Sequence, residues 1–277
     1  MKLRRILMLT LPLMAGIGLS THANATWTFG GNGDAYTHYN ASGSGSTATL
    51  DISGVYAANG GTSSSINGFA SGATWSTGQL EYYSGNGLGM SSDGSATPNH
   101  ALDNGPGVDK WGHATAGNTE AVLLNFSSSV VLSSIGIGYV SGDADISLFR
   151  YNGSGAPPSL SSTGASLGSM TSAGWELVGN YSNIVDTSNP FNPVNAGNLG
   201  SSWWLISAYN TSYGTSSADS GSLGQGNDYF KVYAVAGNSC TGGNCGGTTT
   251  TGHVPEPASL ALVAVALLGA AGARRRR

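Results

Sequence analysis

Between residues 26 and 257 the chain alternates short runs of β-branched and aromatic residues with clusters of Gly, Ser, Asn and Asp. Such alternation is typical of strands that are joined by turns. No sustained apolar repeat with the 3.6-residue period of a helix occurs in this stretch. Charged residues make up only 9% of the chain, which also disfavours long helices, because their exposed faces usually carry Glu, Lys and Arg. These features predict an all-β fold and disfavour a parallel α/β fold.

Seven runs have the residue pattern of strands. In the run 47–53, Ala48, Leu50 and Ile52 share one face, as expected for a strand with one buried side. The run 203–210 is apolar on both faces, which predicts a central strand that is covered on each side. The other runs are 121–126, 130–140, 145–151, 175–181 and 229–236. Together they predict a single antiparallel β-sandwich, jelly-roll-like, over residues 26–236, whose part 30–94 is so rich in Gly and Ser that short or irregular strands are expected there.

The basic residues are concentrated at the two ends of the chain. Three lie among the first five residues, and four arginines close the sequence. Between residues 26 and 253, only Lys110, Arg150 and Lys231 stand against 13 acidic residues. An acidic body with three scattered cations cannot neutralise a row of phosphates, so nucleic-acid binding is excluded as a main role.

Residues 1–25 have the organisation of a secretory signal peptide. A basic start is followed by the apolar run 6–19 and by Ala23-Asn24-Ala25, which has the small-x-small form that signal peptidase requires. The alternative, an N-terminal membrane anchor, is disfavoured because the apolar run is shorter than the ~20 residues that a bilayer-spanning helix needs. We therefore expect signal peptidase to remove residues 1–25 during export.

The C-terminal segment 254–277 has three successive features. The motif Val254-Pro255-Glu256-Pro257 precedes the uncharged apolar segment 258–273, and Arg274, Arg275, Arg276 and Arg277 end the chain. At 1.5 Å per residue the apolar segment would form a helix of about 24 Å, which is shorter than a hydrocarbon core of about 30 Å. The arginines should stay on the cytoplasmic side, which leaves the extended Pro-Glu-Pro segment at the outer face. A plain tail anchor is the alternative, but it needs no such motif and is usually longer.

This tail resembles the PEP-CTERM sorting signal of Gram-negative bacteria. In that family an exosortase recognises the motif, the transmembrane helix and the arginine cluster, cleaves near the motif, and passes the protein to the cell surface or the extracellular matrix. The resemblance implies exosortase as a partner and a transient inner-membrane intermediate. The segment 237–253, which is rich in Gly and Thr, is expected to be a flexible linker between body and tail.

The body also resembles the exosortase-dependent surface proteins of this class. The matching segments, in order, are 98–104, 121–126, 130–138, 142–147, 174–181, 204–210 and 227–231. The resemblance implies surface location and β architecture, and it carries no catalytic residues. We therefore expect a non-enzymatic protein with a structural or adhesive role in the envelope or the exopolysaccharide layer of a biofilm. A carbohydrate-binding module is the alternative function, and a secreted hydrolase is the third.

Asp143 and Asp145 are the strongest candidate metal ligands. Ca²⁺ takes six to eight oxygen ligands, and Asp-rich turns supply carboxylates and backbone carbonyls together. In an acidic exported body, bound Ca²⁺ would offset carboxylate repulsion. The spacing does not match an EF-hand loop, and the alternative is that both residues are turn or strand-cap residues. Asp93, Asp103, Asp109 and Asp228 are weaker candidates of the same kind.

The candidates for hydrolase chemistry are few. His100 and Asp103 lie three residues apart, and the segment 164–168 matches the letters of a Gly-x-Ser-x-Gly nucleophile elbow around Ser166. The elbow needs a strand before the serine and a helix after it, and the sequence predicts neither. We therefore expect His100 and Asp103 to be hydrogen-bonding loop residues.

Cys240 and Cys245 are the only cysteines in the sequence. Export places them in an oxidising compartment, so a disulfide that closes a small loop is expected. With His253 as the only other nearby ligand, a zinc site would lack its fourth ligand.

The six tryptophans suggest sugar binding, because aromatic faces can stack on sugar rings. Trp75 and Trp111, like Trp27, lie in loop-like segments and are the predicted platforms. Trp175, Trp203 and Trp204 begin strand-like runs, where core packing is expected instead.

Overall fold

The structure is a computed structural model that describes residues 25–30, 38–59, 72–90, 92, 100–108, 114–157, 159–161 and 165–240. Residues 1–24 of the predicted signal peptide, most of the predicted linker and the predicted sorting helix lie outside these residues. In the part of the chain that is described, no helix combines the length and the apolar character needed to cross a bilayer.

The described chain consists mainly of β-strands, as predicted, with three short 3₁₀ turns at Leu167–Ser169, Thr171–Ala173 and Thr211–Tyr213. The strands are β1 (Ala25–Thr28), β2 (His38–Ser44), β3 (Thr49–Ala58), β4 (Ser76–Gly78), β5 (Leu80–Tyr83), β6 (Gly87–Met90), β7 (Leu102–Asp103), β8 (Gly107–Val108), β9 (Ala114–Thr115), β10 (Asn118–Val140), β11 (Ile146–Tyr151), β12 (Trp175–Tyr181), β13 (Thr187–Pro193), β14 (Gly200–Ala208) and β15 (Tyr229–Ser239). The strand ladders between them are antiparallel.

Thirteen of these strands form one sheet, and β8 and β9 form a separate pair. The longest path through the sheet is β12-β11-β14-β10-β3-β2-β1-β15-β6-β5. Because β15 also pairs with β10, the hydrogen-bonded path from β10 through β3, β2, β1 and β15 returns to β10. The large sheet therefore closes on itself.

A single 23-residue strand, β10, makes this closure possible. Its first half pairs with β3 and β14, and its second half pairs with β15 and β13. The prediction of two strands, 121–126 and 130–140, was wrong, because the backbone stays extended between them while the register to β14 shifts between Asn125 and Val130. The exposed Ser127 and Ser128 lie at this register shift, where β10 changes its pairing partners.

The larger hydrophobic cluster lies on the inner face of the sheet. Ala48, Leu50 and Ile52 are at most 3% exposed, which confirms the face predicted from their alternation. In β14, Trp204 and Ile206 belong to this cluster while Leu205 belongs to a second one. The prediction that the 203–210 run is a central strand covered on both faces is therefore confirmed.

The second cluster lies on the opposite face of β3, β10, β11 and β14. Leu160, Leu167 and Met170 come from the segment between β11 and β12 and pack in one cluster with Phe149 and Trp75. The described part of this segment has little regular structure apart from its two 3₁₀ turns. Its apolar side chains bury one end of that face.

The predicted boundary between body and linker at residue 237 was wrong. Strand β15 continues to Ser239, and Gly237 pairs with Ala25 of β1 and with Leu132 of β10. A Cβ atom at Gly237 would lie 2.2 Å from the carbonyl oxygen of Val131. This glycine permits close strand packing, so it belongs to the sheet and not to the linker.

Candidate functional site

Two neighbouring connections bring three carboxylates together. Asp143 and Asp145 follow β10 in the turn before β11, and Asp228 immediately precedes β15. One ligand oxygen from each of the three lies within 4.8 Å of the others. The backbone N–H of Tyr229 donates to the Asp143 carbonyl at 2.9 Å, which fixes the two connections against each other. We call these three residues the acidic cluster.

Backbone donors hold the two buried carboxylates of the acidic cluster. The N–H of Asp145 donates to Oδ1 of Asp228 at 2.6 Å. Asp145 in turn accepts from the N–H of Asn183 at 2.7 Å and from the N–H of Gly224. Both side chains belong to residues with 0% exposure. These bonds fix the carboxylates in place without supplying a positive charge.

Burial controls the protonation of the acidic cluster. It raises the pKa of Asp228 to about 8, although the N–H of Asp145 and the amide of Asn104 oppose the rise. Burial also raises the pKa of Asp145, and the charges of Asp143 and Asp219 act in the same direction. Desolvation therefore outweighs the hydrogen bonds that favour the charged forms.

Asn104 supports the acidic cluster from the protein interior. Its Nδ2 donates to Oδ2 of Asp228 and, at 2.6 Å, to the Tyr209 carbonyl. Its Oδ1 accepts from the N–H groups of Gly226 at 3.1 Å and Asp228 at 3.2 Å. Asn59 extends this network by donating to the Asn104 carbonyl at 2.8 Å. Both hydrogens and both acceptor sites of the Asn104 side chain are therefore used.

The structure brings Asp143 and Asp145 together as the sequence suggested, and it adds Asp228, which the sequence ranked lower. Three carboxylates this close can be neutralised by protons or by a hard cation such as Ca²⁺, which prefers oxygen ligands. Calcium binding here stays a prediction. Of the other weak candidates, Asp103 is buried in β7 and accepts from the N–H of Gly105 at 3.1 Å, while Asp93 and Asp109 lie outside the described residues.

A second concave region lies where β11 ends and where β12 and β14 begin. It is an open cavity of about 960 Å³ whose lining includes Arg150, Tyr151, Asn152, Glu176 and Trp203. We call it the strand-end cleft. Arg150 is the cross-strand neighbour of both Glu176 and Trp204, so its backbone is held by β-ladders on both sides.

An ion pair forms the polar wall of the strand-end cleft. Arg150 donates to Oε2 of Glu176 from Nη2 at 2.7 Å and from Nε at 3.0 Å. Asn152 Nδ2 donates to the same oxygen at 2.9 Å, and Arg150 Nη1 donates to the Gly200 carbonyl at 3.0 Å. Burial alone would raise the pKa of Glu176, but these hydrogen bonds and the charge of Arg150 outweigh it and lower the pKa.

The structure corrects the predicted aromatic platforms. Trp75 is 2% exposed, and its indole N–H donates to the sulfur of Met170 at 3.2 Å, so its ring is in the core and cannot stack on a sugar. Trp27 is likewise buried, with 0% exposure. Trp111 lies outside the described residues. Trp203 packs against the second hydrophobic cluster, in keeping with the expected core packing, but it is only half-buried and also lines the strand-end cleft.

The sequence therefore pointed to the wrong aromatic residues and missed Arg150 and Glu176. One signal was available: Arg150 is one of only three cations in an acidic body. A lone cation on a strand needs a partner when it is buried, and Glu176 sits in the strand that pairs with it.

The residues considered for hydrolase chemistry lie in separate surroundings. The ring of His100 stacks on that of Tyr83 at a centroid distance of 5.9 Å. Ser166 begins the 3₁₀ turn Leu167–Ser169, and its hydroxyl donates to the Ser169 hydroxyl at 3.0 Å. Ser166 forms only an isolated β-bridge with Thr74, whereas a nucleophile elbow requires a strand before the serine.

Cys240 follows β15 directly and is disulfide-bonded. Its N–H donates to the Ser129 carbonyl at 2.8 Å, which fixes the end of the strand. Cys245, the other cysteine of the sequence, lies outside the described residues, so the pairing of these two cysteines stays a prediction.

Comparison with known proteins identifies the C-terminal segment. The family model described as the PEP-CTERM protein-sorting motif matches residues 253–277. The match contains the predicted motif Val254-Pro255-Glu256-Pro257 and the arginine cluster, and it confirms the predicted sorting signal. The chain is thus a protein with a PEP-CTERM sorting domain, attached to a β-rich body. No curated protein and no solved structure matches the chain.

Proposed function

We propose that this protein is exported, processed by exosortase, and retained at the cell surface or in the extracellular matrix, where it has a structural or adhesive role without catalysis. The PEP-CTERM motif at residues 253–277 carries this proposal, because the motif marks exported proteins that are sorted through the membrane. The low-charge, β-rich body fits a location outside the cell. Removal of residues 1–25 by signal peptidase belongs to the same proposal.

We further infer that the body is a β-sandwich of jelly-roll type. Two observations support this architecture. The strand β10 changes partners halfway along its length, as a strand does when it passes from one layer of a sandwich to the other. The larger hydrophobic cluster also contains residues from both halves of β10, including Val122 and Ile137, as expected for a core between two layers.

The experiment that tests the sorting proposal is mass spectrometry of the mature protein from cells with and without the exosortase. We expect a C-terminus near Glu256 only when exosortase is present, and an N-terminus at Thr26 in both strains. Glu256→Ala should block the C-terminal cleavage, whereas Asp186→Ala, at an exposed position of the body, should leave it unchanged. An intact C-terminus in both strains would overturn the proposal.

A carbohydrate-binding module is the second candidate function. The strand-end cleft favours it, because an aromatic ring and several hydrogen-bonding side chains line the same cavity. Such binding would place the protein in an exopolysaccharide layer.

A further inference from the structure

We propose that the strand-end cleft binds a segment of neutral polysaccharide, made of uncharged hexopyranose units. The inference rests on the proposed surface function, which it deepens by naming a ligand class and the residues that contact it. Trp203 is the stacking platform, and Glu176 and Asn152 are the hydrogen-bonding partners of the sugar hydroxyls.

The charge of the cleft excludes an anionic ligand. Arg150 and Glu176 are the only charged residues among the described residues that line it, and their charges cancel. Arg150 already uses Nε and Nη2 on Glu176, and Nη1 on the Gly200 carbonyl. Because the Glu176 carboxylate neutralises the guanidinium at 2.7 Å, a uronate, sulfate or phosphate group would meet no net positive charge in the cleft and would lie close to a carboxylate.

The ion pair prepares Glu176 to accept a hydroxyl group. The three hydrogen bonds that its carboxylate receives from described residues all end on Oε2. Its other oxygen, Oε1, accepts none of them, and the side chain is 37% exposed. The Arg150 and Asn152 contacts fix the carboxylate plane, so a sugar hydroxyl can donate to Oε1 at little cost in conformational entropy.

Trp203 supplies the apolar face that a sugar ring needs. It is half-buried, and it forms part of the wall of both the strand-end cleft and a smaller cavity of about 260 Å³. Its indole N–H has no acceptor among the described residues, whereas those of Trp27 and Trp204 donate to backbone carbonyls. The backbone of Trp203 is paired with Asn125 of β10, so the platform stands on a rigid strand.

The size and the lining of the cleft select an oligosaccharide segment. About 960 Å³ lies at the upper end of the range of about 300–1,000 Å³ that is usual for small-molecule pockets. Glycines and short polar side chains form much of the remaining lining, which disfavours a lipid or another purely apolar ligand. An aromatic ring beside neutral polar groups is the environment that matches the two kinds of surface of a pyranose, its C–H face and its hydroxyl edge.

Isothermal titration calorimetry with the full-length protein, purified in detergent, tests the inference. The probes are cellohexaose, mannohexaose and galactohexaose as neutral hexamers, and hexagalacturonate as the charged comparison. We expect at least one neutral hexamer to bind and the charged one not to bind. Trp203→Ala should weaken binding about tenfold or more, since aromatic anchors dominate binding energies. Glu176→Gln should also weaken it, and it keeps a carbonyl oxygen that can still accept from Arg150.

Trp75→Phe is the matched control, because it also removes one indole but lies in the core away from the cleft. It should change thermal stability and leave the affinity unchanged. Trp203→Phe keeps a stacking ring and should retain binding while losing a ligand-induced change in tryptophan fluorescence. Absence of binding by all neutral hexamers, binding of the uronate alone, or wild-type affinity in Trp203→Ala would each overturn the inference. None of these results depends on C-terminal processing, so the sorting proposal and this inference can fail separately.

Discussion

The backbone N–H of Asp145 donates a hydrogen bond to Oδ1 of Asp228 at a distance of 2.6 Å, although the two residues lie 83 positions apart in the sequence. The contact joins the turn before β11 to the residue before β15. Both residues are fully buried, and their carboxylates lie close to that of Asp143. The protonation of the acidic cluster is therefore linked to the attachment of the last strand.

In the absence of divalent cations, we expect the free energy of unfolding to pass through a minimum near pH 8 within the range from pH 5 to 9.5. Burial raises the pKa of Asp228 from its usual 3.8 to about 8, so the native state binds more protons than the unfolded chain between about pH 4 and 8. Stability must then fall as the pH rises through this window. Burial lowers the pKa of Lys231 from 10.5 to about 8, so the unfolded chain binds more protons between about pH 8 and 10.5, and stability rises again.

Urea unfolding at pH 5, 8 and 9.5 in the presence of a chelator measures this profile. We expect a loss on the order of 3 kcal/mol from pH 5 to pH 8, since each tenfold change in proton affinity corresponds to about 1.4 kcal/mol. Asp228→Asn should reduce the fall, of which the part from Asp145 remains, and should keep the rise. Lys231→Met should remove the rise and keep the fall. A stability that increases steadily from pH 5 to pH 8 would contradict the assignment.

If Ca²⁺ binds the acidic cluster, it should remove the minimum at pH 8. A cation that binds only the native state raises the free energy of unfolding by about 2.7 kcal/mol at 100 times its dissociation constant. We expect CaCl₂ to raise the melting temperature at pH 8, to do so more than MgCl₂, and to have less effect at pH 5, where protons compete for the carboxylates. Differential scanning calorimetry provides the measurement. The Asp143→Asn variant should lose most of the shift, and an unchanged melting temperature in wild-type protein would mean that protons alone neutralise the cluster.

Asn104→Asp should destabilise the protein strongly and in a pH-dependent manner. The substitution replaces the donor that faces Oδ2 of Asp228 with a carboxylate and adds a fourth acid beside the acidic cluster. At pH 8 we expect a loss larger than that of Asn104→Ala, which already leaves buried polar groups unpaired at about 1–3 kcal/mol for each group. At pH 5 the aspartate can be protonated and can donate to Asp228, so Asn104→Asp should then destabilise the protein less than Asn104→Ala. Chemical denaturation of both variants at the two pH values decides the point.

Gly237→Ala should destabilise the fold although this residue was expected in the linker. The added methyl group would lie 2.2 Å from the Val131 carbonyl oxygen, and backbone atoms cannot move away without disturbing the pairing of β15 with β10. We expect a loss of about 2 kcal/mol or more, as for other changes that overpack a core. Gly30→Ala is the matched control, because no atom lies within 4 Å of the position that its methyl group would take. Equal melting temperatures for the two variants would contradict the assignment of Gly237 to the sheet and would support its place in the linker.

Local patterns predicted the strands β3, β11, β12, β14 and β15. The run 175–181 has the same bounds as β12, and Ala48, Leu50 and Ile52 lie on the predicted inner face. In these segments the alternation of side chains determines which face is buried, and no distant contact is needed to recognise it.

Predictions from the sequence were wrong or incomplete where contacts between distant segments determine burial, pairing or the composition of a site. Trp75 has the neighbours of a loop residue, and it is buried because distant side chains such as Leu167 and Met170 pack with it. Asp228 joins Asp143 and Asp145 only through the approach of β15 to the turn before β11. The continuity of β10 also depends on partners from β3, β14, β13 and β15, which no local pattern reveals.

The hydrogen-bonded neighbours of β1 include the last strand of the described chain, β15. In a polypeptide that crosses the membrane from its N-terminus, the ring of strands cannot close until Ser239 has emerged. Ala25 is 1% exposed in this sheet. Removal of residues 1–25, as proposed, would take Ala25 away and leave Thr26, Trp27 and Thr28 paired with β15. If the predicted leader directs export, the ring of strands can therefore form only after nearly the whole body has crossed, and the bond before Thr26 is not yet covered by β15 while the body is still crossing.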